Sequence, residues 1–148
     1  MAKTTNKYSY PVALDLVTHV VEATTSRSHS GPYRGSIDYA VPLGTVVYAA
    51  ANGVVTRVRD DSDKHGTTID FGYDANYITI EHANNELSEY MHLAKGSALV
   101  RVGDTVTSGE PIAKTGLSGW LFAPHLHFMV YTKVAKPEDF QCLEIAFR

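Results

Sequence analysis

The sequence predicts an all-β fold with little helix. Val, Ile, Thr and Tyr dominate its periodic segments, and glycine or Asp/Asn/Ser clusters separate those segments at short intervals. The apolar, aromatic run GWLFAPHLHFMVY reads as a strand that carries two histidines.

In chain order, strands are expected at residues 36–41 (SIDYAV), 46–50 (VVYAA), 53–59 (GVVTRVR) and 76–81 (NYITIE). Further strands are expected at 87–92 (LSEYMH), 111–114 (PIAK), 125–131 (HLHFMVY) and 143–147 (LEIAF). Each is a short β-rich run bounded by turn residues. Residues 13–23 are ambiguous: Leu14, Val17, Val20 and Val21 fit a helical stripe, while their Val and Thr content favours strand, so extended structure is expected. Two loops stand out. Residues 60–74 (DDSDKHGTTIDFGYD) are polar and long enough for a functional surface loop, and residues 24–35 (TTSRSHSGPYRG) are rich in turn formers.

The 148 residues, 44% of them hydrophobic, suit one domain with one sizeable core. A single domain over residues 1–148 is expected, with a core at about 28–131, an N-terminal extension at 1–27 and a C-terminal strand at 142–148. The net charge is -3 and no basic stretch is interleaved with aromatics, which argues against nucleic-acid binding. Cys142 is the single cysteine, so there is neither an intrachain disulfide nor a cysteine-based zinc cluster. No apolar run approaches a membrane span and MAKTTNKYSYP has no apolar signal core, so a soluble chain is expected.

His125 and His127 lie two apart on the expected strand, so both imidazoles project from one face. Such a pair can ligate a metal or divide between ligation and proton transfer; it can also be two solvent-facing or hydrogen-bonded rings. Asp38 lies opposite the apolar Ile37 and Tyr39 on its strand, where a carboxylate needs a cation or donors, either a metal or the amides of the turn at 42–45. His92 at the end of LSEYMHL and His29 in SRSHSG offer further imidazoles. His82, closing YITIEH, suits a structural bond across the sheet, and His19 and His65 look ordinary.

Three stretches, GSIDYAVPLGTVVYAAANGVVTRV, NYITIEHANNELSEYMHL and VRVGDTVTSGEPIAKTGLSGWLFAPHLHF, stand in one order over roughly residues 28–131. Together they resemble the lysostaphin-type zinc metallopeptidases that cut peptidoglycan peptides. The resemblance implies an antiparallel β-sheet or sandwich of the duplicated-hybrid-motif type with a groove. It also implies one Zn2+ per chain, held by an early His, an Asp and the second His of His-x-His. Asp38 and His127 match as ligands, and His92 and His125 match the catalytic histidines. The early ligand usually stands four residues before the Asp, where this chain has Arg34; arginine stays protonated and cannot ligate zinc. His29, nine residues before Asp38 in a longer loop, takes that role instead.

Two histidines and one carboxylate leave zinc a fourth position, the open geometry of a catalytic site. No HExxH sequence occurs, so the base would be imidazole rather than a helix-borne glutamate. The expectation is a monomeric zinc endopeptidase acting on peptidoglycan peptide at the cell wall, outside the cytoplasm. Trp120, Phe122 and the loop at 60–74 are expected to wall its groove. The principal rival is a non-catalytic member of the same fold that binds the wall or a protein partner, motivated by Arg34. Two further rivals are weaker. A histidine phosphocarrier barrel would not need Asp38 or His29 on a metal, and a biotinyl or lipoyl carrier would present its lysine at a hairpin tip, whereas Lys114 lies in an expected strand.

Overall fold

The structure is a computed structural model and describes residues 2–22, 31–132 and 140–148. Its centre is a seven-stranded antiparallel sheet in the order β2-β3-β12-β8-β7-β5-β9. These strands are β2 (His19–Val21), β3 (Ile37–Ala40), β5 (Gly53–Arg59), β7 (Tyr77–Glu81), β8 (Glu86–Met91), β9 (Thr105–Val106) and β12 (His125–Thr132). Behind it lies the antiparallel pair β4 (Val46–Tyr48) and β10 (Pro111–Lys114). The parallel pairs are β1 (Lys3–Tyr8) with β13 (Glu144–Phe147), and β6 (His65–Gly66) with β11 (Gly119–Trp120). Helix among the described residues is confined to short 3-10 turns, the longest being Ile69–Tyr73.

Period-two alternation explains the architecture. Ile37 and Tyr39 of β3, Ile78 and Ile80 of β7, Tyr90 of β8 and Leu126, Phe128 and Val130 of β12 are buried on one face, against Val47 and Ile112 of the rear pair. The intervening residues, Asp38, Thr79, Glu89, Met91, His127 and Met129 among them, therefore share the opposite face. Strand β5 would break this pattern, because Val55 and Arg57 are two apart. A register shift between them lets Val55 pair with Ile80 and Val58 with Ile78 on the core side, while Arg57 pairs with Thr79 and Arg59 with Tyr77 on the other.

Residues 3–8, within the expected N-terminal extension, form β1. KTTNKY is too polar to signal a strand by itself; it is held by a distant partner and by Glu86. The buried Glu86 carboxylate accepts from the backbone N–H of Thr5 (2.6 Å) and Asn6 (3.1 Å) and from the Tyr8 hydroxyl (3.0 Å). In the ambiguous segment, a 3-10 turn at Leu14–Leu16 leads into the short edge strand β2, with Leu14, Leu16 and Val20 exposed. His82 is the structural histidine anticipated. Its Nδ1–H donates to Asn52 O (2.7 Å), and its Nε2 meets the Ser88 hydroxyl (2.7 Å), which in turn lies 2.9 Å from the Tyr90 hydroxyl.

Replacing Glu86 with Ala strands three donors at once and is expected to lower unfolding free energy by roughly 2–4 kcal/mol. Urea denaturation measures the loss, and faster amide exchange at Thr5 and Asn6 would locate it in β1.

Candidate active site

Antiparallel pairing sets Asp38 of β3 directly opposite His127 of β12, and Ala40 opposite His125. The small Ala40 leaves room beside the His125 ring, while Asp38 reaches both histidines. His127 Nδ1 lies 2.8 Å from Asp38 Oδ1, and His125 Nε2 lies 3.7 Å from Asp38 Oδ2. His127 is nearly buried and Asp38 is half-buried, so the carboxylate sits among cation-accepting and proton-donating groups in partly excluded solvent. Of the turn amides at 42–45, the alternative partners for Asp38, Gly44 N donates to Thr115 O and Thr45 N to Thr115 Oγ1 and Pro42 O.

His92 closes the constellation from β8, just beyond the strand end. Its backbone has φ +70, a left-handed conformation that costs a non-glycine residue free energy and is stored most often at functional sites. The ring lies 4.5 Å from that of His125 and 6.1 Å from that of His127, centroid to centroid. Its Nδ1 is 2.7 Å from Ser118 O; a carbonyl only accepts, so Nδ1 carries the proton and Nε2 is the basic nitrogen. His125 is oriented the same way, with Nδ1 donating to Ala123 O at 2.8 Å. Burial, reinforced by His125 and His127 and opposed by Ser118 O and Asp38, pushes His92 down to about 3, so it is neutral near pH 7.

Ser118 is held in turn. Its hydroxyl donates to Leu93 O (2.8 Å) and accepts from Asn76 N (3.0 Å), and Gly119 beside it adopts φ +87 with no room for a side chain against Ala75. A groove of about 270 Å³ opens over His92 and His127, walled by Tyr33, Ile69, Tyr73 and Trp120. The loop at 60–74 and Trp120 thus take the wall positions expected of them. Phe122 is 79% exposed and lies outside this lining, which corrects its expected place: beyond β11 its ring has nothing to pack on. Tyr33, whose ring meets His127 edge-on at 6.5 Å, was not singled out from the sequence, since a tyrosine in a Gly-Pro turn carries no signal of its own.

A metal fits the donor set described so far. Asp38 Oδ1 and His127 Nδ1 are atoms that bind zinc at about 2.0–2.2 Å, and two such ligands on a tetrahedral ion stand roughly 3.3 Å apart. The observed 2.8 Å need widen by only about half an ångström to admit one. No three His, Cys, Asp or Glu among the described residues converge as a complete metal group. His29, the expected third ligand, lies outside the described residues. Arg34 does not intrude: it is exposed and lines a separate depression with Gly31, Gln141 and Leu143.

The sequence profile of peptidase family M23 matches residues 32–139. Among curated proteins, the chain is 36% identical over 97 residues to the peptidoglycan DD-endopeptidase ShyA of Vibrio cholerae, covering 66% of this chain and 20% of that protein. The chain therefore spans about a fifth of the length of that relative. Among solved structures, it is similar to a zinc-containing peptidase from Vibrio cholerae (TM-score 0.63, 28% identity, 84% of this chain and 36% of the other). Lysostaphin of Staphylococcus simulans shares the fold, with TM-score 0.65 at 23% identity over 94% of this chain and 52% of that one.

A buried neutral imidazole has a sign in the pH dependence of stability. The folded state resists protonating His92, whereas the unfolded chain takes up that proton below about pH 6.5, so stability is present above that pH and is lost as pH falls toward 3. His82, lowered chiefly by burial, acts in the same direction. In the presence of chelator, unfolding free energy is expected to drop between pH 7 and pH 5 with a slope of at most about 1.4 kcal/mol per pH unit for each group. Urea titrations at both pH values should show a smaller drop in His92→Gln; an unchanged drop would contradict a buried neutral His92.

Proposed function

Because this chain belongs to peptidase family M23, we propose that it is a zinc-dependent endopeptidase that hydrolyses peptide bonds of bacterial peptidoglycan. The observation that carries this reading is the convergence of Asp38, His127, His125 and His92, with His92 and His127 lining one groove. The similarity to a peptidoglycan DD-endopeptidase supports the substrate class. The pairing of β1 with β13 supports residues 1–148 acting as one domain. A wall substrate would put its action outside the cytoplasm.

Asp38 and His127, with His29, would hold the zinc. When bound, zinc supplies Lewis-acid polarisation of the scissile carbonyl and a lowered pKa for the attacking water. The remaining chemistry belongs to the two histidines oriented by carbonyls. His92, neutral and with Nε2 unprotonated, is placed to accept a hydrogen bond from the attacking water and orient it. His125 presents Nε2 toward Asp38 at 3.7 Å, and once it carries a proton it can stabilise the oxyanion or protonate the leaving amine. Trp120, Tyr33, Ile69 and Tyr73 hold the extended peptide over this pair and reduce water access.

The rival reading, a wall-binding or partner-binding module with a degraded metal site, rested on Arg34, which points away from the site. The two readings part on metal content. Elemental analysis of the folded protein is expected to find one zinc per chain, lost in His29→Ala and in Asp38→Ala; a protein that stays metal-free after incubation with zinc would favour the module. On purified peptidoglycan, His92→Ala and His125→Ala are each expected to lose at least about 100-fold in turnover while keeping the wild-type circular dichroism spectrum. Trp120→Ala is expected to raise KM more than it lowers kcat, and unchanged kinetics would remove Trp120 from the substrate contact.

A further inference from the structure

The catalytic groove continues into a second depression of about 360 Å³ that shares Tyr33, Gly72, Tyr73 and Met91 with it and ends on Arg57 and Arg59. Those two guanidiniums reach this face only because of the register shift at Thr56 in β5. Without it, Arg57 would follow Val55 onto the core side. A bulge that re-aims a side chain beside an active site is a feature that needs an explanation.

The Arg57 guanidinium is held in place with capacity to spare. It lies over the Tyr77 ring, 4.8 Å from the centroid, and donates from Nη2 to the Tyr77 hydroxyl (2.8 Å), one of five N–H groups in a planar fork suited to a carboxylate. Arg59 bonds the Tyr73 carbonyl, which ties it to the groove wall, and pairs through Nε with the exposed Asp61 at 3.0 Å. The acidic side chain lining this depression, Glu89, is buried and accepts from Thr79 (2.9 Å). Burial raises its pKa against the opposing pull of Thr79, Arg57 and His127.

We propose that Arg57 and Arg59 form a subsite for a carboxylate of the substrate peptide, two or three residues from the scissile bond. The register sets the distance. His127 pairs with Met91, Met91 with Tyr77 and Tyr77 with Arg59, so Arg59 stands three strand spacings, about 14 Å, from His127. Extended chain covers that in about four residues, and the length of the arginine side chain shortens it to two or three. The subsite deepens the endopeptidase reading and rests on it. The carboxylate is either an internal one of the peptide or its chain terminus.

The test is binding, read from the fluorescence of Trp120, the single tryptophan, which lines the groove. The probe is a cross-linked peptidoglycan stem-peptide dimer, titrated into the full chain carrying His125→Ala. Three forms are compared: all carboxyls free, internal carboxyls converted to carboxamides, and the terminal carboxyl converted. The expected result is at least tenfold weaker binding on amidation of one class, which identifies the source. Arg57→Gln/Arg59→Gln should erase that difference, and Arg57→Lys should restore part of it. Equal binding of all three forms, a preference that survives the double substitution, or no binding of the free form overturns the proposal. Hydrolysis of the dimer by the wild type without a carboxylate preference would leave the endopeptidase reading standing and remove the subsite. Carboxylate-dependent binding without hydrolysis would do the reverse.

Discussion

The pairing of β3 with β12 is the constraint on which the rest of the site depends. It sets Asp38 across from His127, and because side chains alternate along each strand, the residues between the site groups must face the core. Ile37, Tyr39, Leu126 and Phe128 are all nearly inaccessible to water, so a slip of one residue would expose them and bury Asp38 and both histidines. The apolar side of the sheet therefore holds the register of the polar side. A site built on two interior strands of such a sheet gains a rigidity that a loop could not give it.

Strands position the ring carbons, and backbone carbonyls decide the protons. Ser118 O and Ala123 O each take the Nδ1–H of a histidine, leaving Nε2 as the basic nitrogen of His92 and His125. Ser118 is itself locked by Leu93, Asn76 and the left-handed turn at Gly119. His92 sits at the junction of that turn with β8, where its own positive φ swings the ring off the strand direction toward His125. Strain at this residue and an ordered loop opposite it are two parts of one arrangement.

Away from the site, a second polar assembly fastens the chain ends. Glu86 gathers Thr5, Asn6 and Tyr8, while His82 links Asn52 to Ser88 and thence to Tyr90. The Tyr8 ring meets His82 edge-on at 5.3 Å, joining the two networks. Tyr90 lies in the core against Phe128, so the fastening of β1 is continuous with the packing beneath β12. The arginines of β5 extend the groove on the other face of the same sheet, which makes specificity and catalysis depend on one register.

The amino-acid sequence by itself determined the all-β class and the span of β5 over residues 53–59. It also determined the separation of Asp38 from Ile37 and Tyr39, the shared face of His125 and His127, and the structural part of His82, because all of these follow from local alternation and β-propensity. The family resemblance added His92 to the site. Tertiary structure decided what depends on distant partners. The polar run at 3–8 became a strand through β13 and Glu86, Phe122 turned away from the groove, Tyr33 turned into it, and Arg34 was carried to a separate surface. The destination of Arg57 was equally out of reach, since the shift at Thr56 exists only against β7. A period of two can be read along one strand, but where that strand is interrupted, and which carbonyl meets which imidazole, is settled only when its neighbours are in place.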